Sequence, residues 1–108
     1  MILSPVPRNI WDAQGKVARA SNTYGRWAAE VARAEGVPFV DLNEIVAAHY
    51  EADGREKVAR AYFTAADHTH TSVAGARLGA ACVAEGLRGL KGGPLADALK
   101  PPSVAPSP

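Results

Sequence analysis

Asp67 and His70 are the two side chains in this sequence whose types and spacing best support acid–base chemistry. They lie in the stretch Asp-His-Thr-His-Thr-Ser, residues 67–72. An acid at position i and a histidine at i+3 can share one face of a single turn. The carboxylate can then accept the proton of one imidazole nitrogen, which fixes the tautomer and leaves the other nitrogen free as a base. The pair supplies two thirds of a hydrolytic triad, with Asp67 orienting His70 as the general base.

Metal binding is the alternative use of the same histidines. His68 and His70 alternate beside Asp67, and alternate histidines can chelate an ion. A zinc site usually needs three or four protein ligands. The third histidine, His49, falls on an apolar helical face, where the pattern predicts a partly buried core residue. The sequence therefore favours the triad over a metal site.

A nucleophile that would complete the triad is missing from the pattern. Ser4 ends an apolar run, but Pro5 follows it and has no N–H for an oxyanion hole. Ser21 lies in a loop without a motif, and Ser72 is predicted to cap the following helix. Cys82 lies in a small-residue helical stretch without an electropositive setting, which predicts a buried thiol. None of these four residues is a good candidate for the nucleophile.

The composition is that of one small globular domain. The chain has 108 residues, 47% of them hydrophobic and 21% charged, with a formal net charge of +1. This balance gives no argument for nucleic acid or an anionic membrane as partner. The longest apolar runs are too short to span a bilayer. The sequence does not begin with a signal-peptide pattern, and it does not determine the cellular compartment of the protein. The single Cys82 cannot form an internal disulfide.

Alternating helical and strand patterns predict the elements that must position the pair. In chain order they are a strand (residues 1–4), a loop (8–21), a helix (24–35), a strand (37–40), a helix (42–53), a shorter helix (55–61), the motif, and a helix (73–90). Such alternation is typical of an α/β fold with a parallel sheet. In these folds the site lies beyond the carboxyl ends of the strands.

Capping and periodicity add detail to these helices. Thr23, Asp41 and Ser72 are predicted N-caps, and Gly36 is a predicted stop. One apolar stripe is predicted to be buried on each of two helices. On the helix at 24–35 it consists of Tyr24, Trp27, Ala28 and Val31. On the helix at 73–90 it consists of Ala76, Ala80, Val83, Leu87 and Leu90.

The motif resembles the last conserved block of the SGNH (or GDSL) hydrolases. The spelling Asp-His-Thr-His-Thr-Ser at 67–72, followed by Val-Ala-Gly-Ala, is most similar to the rhamnogalacturonan acetylesterase branch. Pro-Val-Pro-Arg-Asn at 5–9, with Trp11 and Gly-Lys at 15–16, also looks like that branch, as does Val-Pro-Phe-Val-Asp-Leu at 37–42. The resemblance extends to about Leu90.

This resemblance implies a fold, an activity and a set of roles. Residues 1–91 would be the C-terminal portion of a flavodoxin-like, three-layer SGNH domain with short parallel strands, and residues 92–108 a disordered tail rich in proline and serine. The activity would be removal of acetyl esters from pectic rhamnogalacturonan. Asp67 would be the triad acid and His70 the base, with no metal or organic cofactor. Arg8 and Trp11 are candidates for contacting the sugar, although Trp11 could equally anchor its own loop.

The sequence departs from the family pattern in three blocks. The Gly-Asp-Ser block that carries the serine, the glycine block and the Gly-x-Asn block are all absent. We expect the serine to come from an upstream segment or a second chain. The alternative is a catalytically inactive, truncated remnant or an interaction module.

Overall fold

The fold consists of two short parallel strands and the helices that follow each of them. It is seen in a computed structural model, which describes residues 1–90 and 93–99. The elements are β1 (Ile2–Leu3), α1 (Tyr24–Glu35), β2 (Phe39–Val40), α2 (Leu42–Asp53), α3 (Arg55–Lys57), a π-helical turn (Val58–Tyr62, hereafter the π-turn), α4 (Val73–Arg88) and α5 (Pro94–Ala98). In the sheet, Ile2 pairs with Phe39 and Leu3 with Val40. The predicted α/β class with parallel strands and flanking helices is confirmed.

The predicted tail is only partly covered by the structure. Helix α5 lies within residues 92–108, where the sequence shows no hydrophobic pattern. Residues 100–108, which carry most of the proline and serine, lie outside the described part of the chain, as do residues 91 and 92.

Local sequence signals place most helix ends. The Asp41 side chain accepts a hydrogen bond from the Glu44 amide at the start of α2, and Gly36 ends α1 in the left-handed conformation, with φ of 64°. The prediction for Thr23 is wrong, because its side chain makes no capping hydrogen bond. The amide of Gly25 instead donates to the Ala20 carbonyl, so a backbone turn leads into α1.

The hydrophobic core lies between α2, the π-turn and α4. Val46 and Tyr50 of α2, Val58 of the π-turn and Cys82 of α4 are all at most 1% exposed. The Tyr50 ring contacts the Phe63 ring edge to face, with centroids 5.7 Å apart. Because Phe63 directly precedes the motif loop, this core forms the base on which the loop stands.

The predicted buried stripe of α1 is wrong. Tyr24, Trp27 and Val31 are 68%, 49% and 51% exposed. The buried positions are Gly25 and Ala32, because α1 packs closely on the sheet through small residues. A Cβ at Gly25 would lie 2.7 Å from the Ala20 carbonyl oxygen, which leaves no room for a larger side chain.

The predicted stripe of α4 is only partly right: Val83, Leu87 and Leu90 are half-buried, and Val83 packs against the core. Ala76 and Ala80 are exposed, whereas Gly75 and Cys82 are buried. A Cβ at Gly75 would lie 3.0 Å from the carbonyl carbon of Tyr62 and closer still to its oxygen. Close backbone approach, which a hydrophobicity pattern does not register, therefore decides which face of α4 turns inward.

Candidate active site

The motif occupies a loop that is closed at its base by backbone hydrogen bonds. Phe63 and Thr71 form an antiparallel bridge. Beside it, the Thr64 amide donates to the His70 carbonyl and the Ser72 amide to the Tyr62 carbonyl, each at 2.9 Å. The loop from residue 64 to residue 70 is therefore attached to both the π-turn and the start of α4.

Ser72 joins this loop to α4, as the prediction of an N-cap requires. Its Oγ accepts a hydrogen bond from the Gly75 amide at 3.1 Å and donates to the Ala61 carbonyl at 2.6 Å. The first bond satisfies one of the free amides of the helix start. Since both roles of the hydroxyl are taken, Ser72 is structural.

The Asp67 carboxylate holds the His70 ring directly. Asp67 Oδ2 lies 2.6 Å from His70 Nδ1. Asp67 Oδ1 accepts hydrogen bonds from the backbone amides of Thr69 and His70, both at 2.7 Å. The predicted contact is therefore present, but an Asx-type turn creates it and not a helical turn.

Hydrogen bonding fixes the charge state of this carboxylate. The His70 amide, the His70 side chain and the Thr69 amide, in that order of importance, hold the pKa of Asp67 far below its usual range. An ionised Asp67 is an acceptor at Oδ2, which favours the imidazole tautomer with its proton on Nδ1. That tautomer leaves Nε2 with a lone pair.

The His70 ring is open to an incoming group. Its side chain is 77% exposed. Among residues 1–90 and 93–99, no hydrogen bond is made to Nε2. The arrangement can therefore take a proton from a hydroxyl or water that approaches the exposed side of the ring.

The serines of the described chain do not complete a triad. Ser4 is 2% exposed; its Oγ donates to Asp41 Oδ1 at 2.7 Å and accepts from the Asn43 amide at 2.8 Å. Ser21 is exposed on the turn before α1, and within the described residues neither it nor Ser4 makes a hydrogen bond to His70. Cys82 is buried, and burial raises the pKa of its thiol to about 11, which disfavours the nucleophilic thiolate.

The long loop of residues 8–21 approaches the motif at its beginning. The Asn9 amide donates to the His68 carbonyl at 2.9 Å. Trp11 is half-buried against the core, bridges to Val17, and donates its indole N–H to Asn9 Oδ1 at 2.7 Å. These contacts make Trp11 an anchor of the loop, one of the two roles that the sequence left open.

Arg8 lies on a cleft beside the strand ends. The cleft has a volume of about 290 Å³ and is also lined by Pro7, Ile10 and Tyr24. Its position after β1 agrees with the general rule for parallel sheets. The residues that line the cleft do not include Asp67 or His70. Among the described residues, this segment is joined to the motif by the hydrogen bond of Asn9, the neighbour of Arg8, to the His68 carbonyl.

Two polar groups at this edge were not identified from the sequence. Asn43 is 3% exposed; its side chain donates to the Pro5 carbonyl and accepts from the Ala20 amide, both at 2.9 Å. Arg19 donates to Glu51 at 2.6 Å, and this hydrogen bond lowers the pKa of Glu51 to about 2. Both side chains hold the long loop against α2. Their partners are distant in sequence, so the one usable signal was the placement of Asn43 three residues after the end of β2.

The histidines do not form the metal site considered from the sequence. In the described chain, Asp67, His68 and His70 do not bring three ligand atoms together. His49, predicted to be a partly buried core residue, has a side chain that is 46% exposed and lies 3.2 Å from Glu85. It projects from the rim of the α2–α4 interface, where Cys82 is also found.

Comparison with known proteins finds no family model, curated protein or solved structure that matches this chain. The resemblance to SGNH hydrolases therefore rests on the sequence alone. Within the described residues, the helices are too short or too polar to cross a bilayer.

Proposed function

We propose that this chain carries the acid–base half of a serine-type carbohydrate esterase of the SGNH class. The observation that carries the proposal is the Asp67–His70 pair, with its 2.6 Å contact and its exposed second nitrogen. Its place in a loop directly before a capped, small-residue helix matches the order of the motif that resembles this class. We further propose that β1 and β2 belong to the parallel sheet of a flavodoxin-like fold.

The proposed reaction is the removal of an acetyl group from a pectic polysaccharide such as rhamnogalacturonan. A serine hydroxyl gives its proton to His70 Nε2 while its oxygen attacks the acetyl carbonyl carbon. Collapse of the tetrahedral intermediate breaks the ester bond, and His70 returns the proton to the departing sugar oxygen. Water then hydrolyses the acetyl-serine by the same steps. Asp67 stabilises the imidazolium of His70 in both the formation and the hydrolysis of the acetyl-serine.

The serine and the oxyanion donors come from another segment or a second chain in this proposal. Ser4 and Ser72 are excluded because their hydroxyls are already bonded within the fold. An oxyanion donor typically contributes about 3–4 kcal/mol of transition-state stabilisation. The 108-residue chain by itself should therefore show no ester turnover above background.

In this proposal Arg8 selects the substrate. It is exposed on the cleft, and a guanidinium can bind the carboxylate of a uronic acid through two parallel hydrogen bonds. Trp11, with its N–H already bonded to Asn9, would support this loop and contribute at most the exposed part of its ring.

Labelling with a fluorophosphonate tests the reaction class. An activated serine oxygen attacks phosphorus, fluoride leaves, and the serine becomes phosphonylated. The protein is isolated from its source cells with wild-type sequence, with His70→Ala, or with His68→Ala as the matched control. We expect wild type and His68→Ala to be labelled, on a serine other than Ser4 or Ser72, and His70→Ala to lose labelling. Absence of labelling in the wild type, or equal labelling of His70→Ala, would refute the proposal.

An interaction module without catalysis is the second candidate, favoured by the exposed apolar face of α1. Tyr24 and Trp27 contact each other edge to face at 5.2 Å and stay largely open to solvent. Exposed apolar patches often mark protein contacts. A specific partner that co-purifies with the chain and is lost with Trp27→Ser, together with absent labelling, would support this candidate over the esterase.

A further inference from the structure

Three potential metal ligands meet between α2 and α4, away from the motif loop. His49 belongs to α2, and Cys82 and Glu85 lie three residues apart on α4. One ligand atom from each of the three side chains lies within 4.8 Å of the others. Spacing of i and i+3 places Cys82 and Glu85 on one face of α4, opposite His49.

The packing of the two helices makes this cluster both fixed and reachable. Cys82 is 1% exposed and forms the floor of the cluster, within the hydrophobic core. The side chains of His49 and Glu85 are 46% and 58% exposed and form its rim. His49 and Glu85 also line an open depression together with Ile45, so an ion can reach these two ligands from solvent.

The donor types match those of a tetrahedral zinc-class ion, and the spacing of the two exposed donors is close to what such an ion requires. Zinc binds thiolate sulfur, imidazole nitrogen and carboxylate oxygen, with bonds of about 2.3 Å to sulfur and about 2.0–2.2 Å to nitrogen and oxygen. Tetrahedral bonds of that length place nitrogen and oxygen donors roughly 3.3–3.6 Å apart. His49 Nε2 and Glu85 Oε2 are 3.2 Å apart. We propose that His49, Cys82 and Glu85 form a three-ligand site for a zinc-class divalent cation, with water as the fourth ligand.

A simpler arrangement uses the same residues without an ion. His49 and Glu85 would then be a surface ion pair above a neutral, buried thiol. In that arrangement Cys82 is buried because it belongs to the hydrophobic core. Glu44, the other acid on this depression, is already engaged by Arg19 at 2.7 Å, which leaves His49 and Glu85 as the rim ligands. The two arrangements differ in whether the cluster takes up a metal.

Titration of the 108-residue chain with Co²⁺ under reducing conditions tests the site. Cobalt reports on thiolate ligation through a sulfur-to-metal charge-transfer band and on four-coordination through intense visible bands. We expect one equivalent to bind with both signals, and one equivalent of Zn²⁺ to displace it. The variants His49→Ala and Glu85→Gln each remove a proposed ligand at an exposed position. Each should weaken Co²⁺ binding by more than the roughly 10–100-fold that is typical when a residue supporting a ligand, and not the ligand itself, is lost.

Matched controls separate this site from the other histidines. His68→Ala and His70→Ala should bind Co²⁺ as the wild type does. Cys82→Ser should lose the charge-transfer band, and circular dichroism of the variant establishes whether its fold is kept. Because His49 and Glu85 are exposed, their variants decide the outcome even if Cys82→Ser does not fold. No saturable binding, binding unchanged in His49→Ala and Glu85→Gln, or binding lost in His68→Ala would overturn the proposal.

Discussion

Replacing Gly75 with alanine should loosen the attachment of the motif loop to α4. A Cβ at this position would lie 3.0 Å from both the Tyr62 carbonyl carbon and the Thr71 Cβ, and closer still to the Tyr62 oxygen. The Tyr62 obstacle is backbone, which cannot turn away by changing a rotamer. Overpacking of this kind costs about 1–3 kcal/mol, and we expect the upper part of that range. The higher helix propensity of alanine returns up to about 1 kcal/mol.

The expected net loss is therefore about 1–2 kcal/mol in the free energy of unfolding. Gly79→Ala is the matched control, because it lies on the same helix with no neighbouring atom within 4 Å of an added Cβ. It should gain about 0.5–1 kcal/mol. Urea denaturation of the two variants, followed by circular dichroism, measures the difference of about 1.5–3 kcal/mol. Equal stability of Gly75→Ala and Gly79→Ala would refute the close packing of α4 on the π-turn.

Three further predictions concern the site and its surroundings. Nitrogen-15 NMR should find neutral His70 protonated at Nδ1 alone, with Asp67→Asn giving mixed tautomers; a mixture already in the wild type would contradict the assigned geometry. The stabilising contribution of ionised Glu51 should be complete above its ordinary pKa of 4.5 and decline as the pH falls toward about 2, since its folded pKa is lowered. Thermal denaturation of Glu51→Gln should therefore show a melting temperature that depends less steeply on pH over that range than the melting temperature of the wild type. An equal pH dependence in the two proteins would count against the Arg19 contact. Ser4→Ala should cost about 1–2 kcal/mol in urea denaturation without reducing ester turnover of the native protein, whereas lost turnover at unchanged stability would make Ser4 a nucleophile candidate again.

Features set by neighbouring residues could be predicted from the sequence. The order of the elements, the Asp41 and Ser72 caps and the Gly36 stop all depend on side chains and amides within a few residues. The contact between Asp67 and His70 belongs to the same class. Its turn type was mispredicted because an aspartate side chain can replace backbone hydrogen bonding locally.

Features set by distant residues could not be predicted in this way. Helix α1 buries the face that carries Gly25 and Ala32 because this face packs on β1 and β2, so the aromatic stripe containing Trp27 lies on the outside. The hydrogen bond between Asn9 and His68 joins positions almost sixty residues apart, and no local pattern records it. The proximity of His49 and Cys82 likewise results from the packing of α2 on α4, which the sequence pattern does not specify.

Acetate release from acetylated rhamnogalacturonan by the native protein tests the central claim most directly. The protein is isolated from source cells as wild type, His70→Ala and His68→Ala. Wild type and His68→Ala should release acetate at similar rates, whereas His70→Ala should be slower by about 10³-fold or more, as expected for loss of a triad base. No acetate release by the wild type, or equal rates in wild type and His70→Ala, would contradict the account.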